Sequence, residues 1–160
     1  QLDSCLNELL EQYHLMQEDL ERRLVERDEE VKQLRNLNLK FILMSSPVYQ
    51  MLIELCEYNK LNPDGMKKIT NDEWDILLHE IDMASLGFVE RLSTKYEYLL
   101  EEDIRFCCLL KMNLTINDLV AIYCLDRKSI YKKKERIKKD RMHLNDSRSL
   151  NEILNSFSTK

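Results

Sequence analysis

The sequence predicts an all-α chain in three parts: a long amphipathic, coiled-coil-like helix over 1–44, a helical spacer over 45–98 and a helix-turn-helix domain over 99–160. Three observations carry this reading. The 160 residues include only two glycines (Gly65, Gly87) and two prolines (Pro47, Pro63), far fewer turn residues than an all-β or α/β fold of this length needs. Apolar residues near the N-terminus recur in steps of four and three. Basic residues crowd onto one segment of an otherwise acidic chain.

The first helix spans residues 2–43. Leu2, Leu6, Leu9, Tyr13, Met16 and Leu20 keep the a/d spacing of a coiled coil. The seam then steps to Leu24, Val31, Leu34 and Phe41, and two successive steps of four make a stutter. Arg23, Arg27 and Glu30 fall where apolar residues would be wanted, so the middle is weak. About 40 residues at 1.5 Å each give a rod of about 60 Å. Such a stripe needs a partner: a second copy in a parallel dimer, or the rest of this chain.

Ser46-Pro47 reads as a cap followed by proline at the first helical position, and Val48, Leu52, Leu55 and Cys56 line one face of the helix it opens. Asn62-Pro63-Asp64-Gly65 is a turn. Thr70-Asn71-Asp72-Glu73 is a capping box opening a helix with Trp74, Leu77, Leu78 and Ile81. Leu86-Gly87 interrupts, and Phe88, Leu92 and Tyr96 mark a short helix.

Glu101–Met112 is the next helix, with Ile104, Cys108 and Leu109 inward and Glu101, Glu102 and Asp103 at its positive end. Thr115-Ile116-Asn117-Asp118 caps a short helix with Leu119, Val120 and Tyr123 apolar. Cys124-Leu125-Asp126 breaks it, and Asp126 caps a longer helix from Arg127 to about Arg141. Short helix, tight turn and longer helix form the helix-turn-helix pattern, with Leu125 and Ile130 as flanking core positions. Ser149-Leu150-Asn151-Glu152 is a capping box before a last helix with Ile153, Leu154 and Phe157.

Net charge is −5, which alone speaks against nucleic acid as a partner. Its distribution reverses that. Residues 127–141 hold nine basic and two acidic residues, +7, while the other 15 basic and 27 acidic residues leave −12. At 100° per residue, Ile130 and Ile137 face the core, and Lys128, Lys132, Glu135 and Lys139 face away with Tyr131 and Arg136 beside them. Lys128, Tyr131 and Lys132 lie at the end that reaches base edges. Arg136, Lys138 and Lys139 suit phosphates. Lys133 and Lys134 border the buried seam and snorkel.

Other chemistries find no support. The longest apolar run, Phe41-Ile42-Leu43-Met44, is too short to span a membrane, and the polar, acidic first residues do not make a signal peptide. The five cysteines have no C-x-x-C spacing and read as reduced, mostly buried thiols of a cytoplasmic protein. The three histidines are scattered, so no metal site is expected. No nucleophile–base pair or phosphate loop appears, so no enzyme, catalytic residue, cofactor or small-molecule site is expected. A start at Gln1 suggests a piece of a longer protein.

Leu100-Glu101-Glu102-Asp103-Ile104-Arg105, Leu114-Thr115-Ile116-Asn117-Asp118-Leu119-Val120, Asp126-Arg127-Lys128-Ser129-Ile130 and Arg136-Ile137-Lys138-Lys139 resemble the LuxR/GerE-type C-terminal DNA-binding domain. The resemblance covers about residues 70–157. It is nearest to the version ending bacterial TPR-containing, membrane-anchored transcriptional regulators. It implies a four-helix effector domain that binds double-stranded DNA as a homodimer through its third helix. Carried over by position, Arg127, Lys128, Tyr131 and Lys132 read DNA, and Thr115 and Asn117 touch phosphate. Asn113 and Cys124 stand where the family has glycine, and both positions can call for positive φ. Lys133 stands where many such proteins have an apolar residue.

The expected function is a DNA-binding transcriptional regulator with its recognition helix over about 127–140, dimerising through the N-terminal helix. It would be cytoplasmic, or the cytoplasmic part of a membrane-anchored protein. The alternative is a coiled-coil interaction module, such as a sigma-factor-like adaptor contacting RNA polymerase.

Overall fold

The first helix, α1 (Leu2–Met44), runs for 43 residues. The computed structural model describes the backbone of residues 2–157, and the side chains of that range except 35–40. The described residues are helices, turns and loops, so the fold is all-α. The chain divides into two compact units, Gln1–Leu37 and Asn38–Lys160. In the first, the expected seam is exposed, from Leu2 through Met16 and Leu20 to Leu34.

The second unit contains α2 (Pro47–Leu61), α3 (Asn71–Ala84), α4 (Phe88–Lys95), α5 (Glu101–Lys111), α6 (Ile116–Tyr123), α7 (Arg127–Arg136), a π-helical turn (Ile137–Arg141) and α8 (Leu150–Asn155). The starts of these helices follow their capping residues. Ser46 Oγ accepts from Val48 N, with Pro47 at the first position. Thr70 and Glu73 make both halves of a capping box, at 3.2 and 3.0 Å. Ser149 Oγ accepts from Glu152 N at 3.2 Å. Gly87, left-handed at φ 89°, cannot cap α4 with a side chain; Asp82 Oδ1 accepts from Val89 N instead, at 2.9 Å.

The core is continuous across the expected 98/99 boundary, so spacer and C-terminal helices share one interior. Its centre is α5, where Phe106, Cys107, Cys108, Leu109 and Leu110 are all buried. Five buried residues in succession place this helix inside the unit, where an amphipathic stripe would leave gaps. The sequence reading named Cys108 and Leu109 of this run. Helices α3, α4 and α8 pack on α5, α2 packs on α6, and α6 packs on α7.

The thiols fit this interior. Burial pushes Cys107 up to about 12 and Cys56 up to about 11, so both stay protonated and unreactive.

Asn59 is fully buried on α2. Its amide donates to Lys67 O (2.8 Å) and Ala121 O (2.9 Å), and its Oδ1 accepts from Lys67 N (2.8 Å). All the bonds a buried amide needs are thus made, and they tie the turn after α2 to the end of α6.

Candidate nucleic-acid interface

Position and orientation of the basic helix are set by α6 and the turn after it. Thr115 Oγ1 accepts from Asp118 N at 3.2 Å, and Asp118 Oδ2 accepts from Thr115 N at 3.1 Å. Lys60, 58 residues upstream on α2, donates to Asp118 Oδ1 at 2.8 Å. Burial opposes ionisation of Asp118, but the bonds from Lys60 and Thr115 outweigh it and hold its pKa below the usual carboxylate value. The same contact raises the pKa of Lys60. A depressed carboxylate pKa stabilises the fold above its unfolded value and loses that contribution as pH falls through the folded one. Stability is therefore expected to drop as pH falls below about 4, with a shallower drop in Asp118→Asn. Urea titrations of both proteins between pH 6 and 3 check this.

The turn after α6 passes through the left-handed conformation. Cys124 has φ 55° and ψ 38°, and Asn113, before α6, has φ 64°. Asparagine visits this region easily; a cysteine there costs about 1–2 kcal/mol. Cys124→Gly removes that cost against about 0.5–1 kcal/mol of added chain entropy. It is expected to leave the fold as stable or up to about 1 kcal/mol more stable, read from urea midpoints. A clear loss of stability would contradict this account of the turn.

Asp126 opens α7, its Oδ1 accepting from Ser129 N at 2.8 Å. A hydrogen bond with the Ser129 side chain lowers its pKa most, joined by this backbone bond and by Lys128 and Lys132 nearby. Ile130 and Ile137 are fully buried, one α-helical face apart, and fix the rotation of α7. Arg127, Lys128, Tyr131, Lys132, Glu135, Arg136 and Lys139 are exposed as a result. Lys139 pairs with Glu135 at 3.0 Å. Arg127, Lys128, Lys132 and Arg136 make no salt bridge among the described residues.

Besides Lys134, which is half-buried with its pKa lowered by burial, three basic residues are drawn inward. Lys133 lies over the rings of Tyr123 and Phe106, with Nζ 4.4 and 5.4 Å from their centroids. Burial lowers its pKa, and the ring faces offset part of the desolvation. Its aliphatic stem fills a place that an apolar side chain could take. Arg141 Nε lies 3.5 Å from Asp103 Oδ2. Asp103 itself is buried, its other contact being the bond it accepts from Leu100 N at 2.9 Å.

The third is Lys138, expected as a phosphate contact. It is 6% exposed, its Nζ donating to Asp146 O and lying 3.7 Å from Asp146 Oδ1. Regular α-helix stops at Arg136, and the expected helix to 140 finishes as a π-helical turn. Lys138 stands about 80° round the helix from Ile130, at the edge of the buried face, and its ammonium turns in to fasten the segment before α8. Leu125, expected in the core, is 41% exposed.

Thr115 and Asn117 are exposed at the start of α6. The Thr115 hydroxyl is already engaged in capping, while Asn117 borders an open cleft of about 380 Å³ lined also by Asn59, Lys60, Pro63, Met66 and Val120. Lys60 beside this start had no signal in the sequence, because only the packing of α2 on α6 brings it there.

No known protein family, curated protein or solved structure matches this chain. Among the described residues, no helix is long and apolar enough to cross a membrane.

Proposed function

We propose that the chain is a DNA-binding transcriptional regulator in which α6, the turn and α7 act as a helix-turn-helix. In this reading α7 enters the major groove, and α1 brings two copies together over two half-sites. The observation that carries it is the exposed face of α7. Arg127, Lys128, Lys132 and Arg136 are solvent-facing, with Tyr131 among them, on a helix whose remaining protein is strongly acidic. A helix serving only as a solvated surface would spread its charges and pair them, whereas here like charges are held together against their mutual repulsion.

Arg127, Lys128, Tyr131 and Lys132 would address base edges near the N-terminal end of α7. Arg136 and Lys139 would hold phosphates, and Asn117, with the amides at the α6 start, would hold the backbone on the other side of the groove. The likeness of Leu114–Val120 and Asp126–Ile130 to LuxR/GerE-type domains supports the same assignment.

The test is selection of duplexes from genomic fragments by the wild-type protein at fixed salt. Enrichment of one sequence, bound with an affinity that falls steeply with salt, is expected. Weak binding with no preference among fragments contradicts the reading. It would favour the alternative suggested by the exposed seam of α1, an adaptor that docks a protein such as polymerase.

A further inference from the structure

The seam of α1 can be assigned a partner from its flanking charges. Over Leu2–Leu34 its apolar positions are 44–88% exposed, on a continuous helix. The steps of four and three place Leu6, Tyr13 and Leu20 at a, and Leu2, Leu9 and Met16 at d. The stutter resets the frame, so that Leu24 and Val31 take a and Arg27 and Leu34 take d.

The positions beside the seam then carry information. In the second frame Arg23 falls at g and Asp28 at e. In a parallel, in-register pair, each g position faces the e position five residues further along the other helix. Arg23 therefore meets Asp28 of the second copy. The couple is of opposite sign, and symmetry makes it occur twice. In the first frame the same rule sets Cys5 against Leu10 and Gln12 against Gln17, with no like charges opposed.

An antiparallel pair sets g against g and e against e. When the two seams overlap over their whole length, that lays the charged second half against Leu10, Gln12 and Gln17, and the Arg23–Asp28 couple is lost. The Arg23 side chain is 71% exposed even with Asp19 Oδ2 3.1 Å from it one turn back, so it is open to a second partner.

We propose that α1 binds α1 of a second copy of this chain as a parallel, in-register coiled coil, aligned by Arg23 against Asp28. This deepens the dimeric reading above, and it is tested without DNA, so its failure and that of DNA binding are separable. Arg27, at a d position, brings two like charges together in the middle of the seam and keeps the pair reversible.

Sedimentation equilibrium of the full chain should show a monomer–dimer equilibrium. Arg23→Glu or Asp28→Arg alone should weaken it about tenfold, and the two together should restore it to within about threefold of wild type. Arg27→Leu should tighten it tenfold or more. Orientation is read in a Cys5→Ser background carrying either Leu9→Cys or Leu34→Cys, oxidised with glutathione. Each variant should form a disulfide-linked dimer by itself. A monomer at all concentrations, a double variant no better than the singles, or cross-linking only when the two cysteine variants are mixed would overturn the proposal.

Discussion

Replacing Lys128 and Lys132 together with alanine is expected to lower affinity for the selected duplex by about 2–4 kcal/mol, or 30- to 1000-fold, at unchanged salt. Both ammonium groups are exposed and make no salt bridge among the described residues, so stability should change by less than about 0.5 kcal/mol. The loss should be largest for the preferred sequence, which distinguishes base readout from general attraction. Lys139→Ala offers the contrast. Its loss should weaken all duplexes alike and reduce the salt slope by about one. Lys138→Ala should behave differently again, costing stability, because its ammonium is held by Asp146 inside the fold. Fluorescence anisotropy on the preferred and a scrambled duplex, with urea titrations alongside, reads all of these. Equal, weak binding of both duplexes by the wild type and the double variant would sink the assignment.

The largest effect on stability is expected from Phe106→Ala, about 3–5 kcal/mol. Phe106 is fully buried at the centre of α5, its ring 5.6 Å from that of Tyr123 on α6 and 5.4 Å from Lys133 Nζ on α7. Removing it opens a cavity where α5, α6 and α7 meet, and it strips Lys133 of a ring that offsets its burial. Domains of this size hold only about 0.05–0.15 kcal/mol per residue of net stability, so the loss is a large share of the total. Urea unfolding should show a lower midpoint with a similar slope. Phe106→Leu, which keeps most of the volume, should lose less than half as much. A near-neutral Phe106→Ala would mean that α5 is not the centre of the unit.

Features that depend on a few neighbouring residues were legible in the sequence. Ser46, Thr70, Thr115, Asp126 and Ser149 each cap the helix they were expected to open, because a cap is decided within three or four residues. The rotation of α7 was legible too, since Ile130 and Ile137 are seven residues apart and the chain between them is α-helical up to Arg136. Lys138 was misplaced, because it stands at the edge of the buried face and the Asp146 that draws it in comes from the segment before α8, which periodicity along one helix does not contain. Phe106 was overlooked, and Asp103 was read only as an acid at the helix start, because α5 is surrounded by other helices, and a helix buried on several sides shows no single stripe. Lys60 and Asn59 steady α6 from 58 and more residues away, a relation that only the packed structure contains. The decisive measurement concerns the exposed face of α7.

That measurement is a titration of the isotopically labelled full chain with the selected duplex, followed by amide chemical shifts. The account predicts that the large changes fall at residues 115–118 and along Arg127–Lys139, with the α3 and α4 amides unmoved and the pattern lost in Lys128→Ala/Lys132→Ala. Changes centred on α1 to α4, or no change at stoichiometric duplex and low salt, would contradict it.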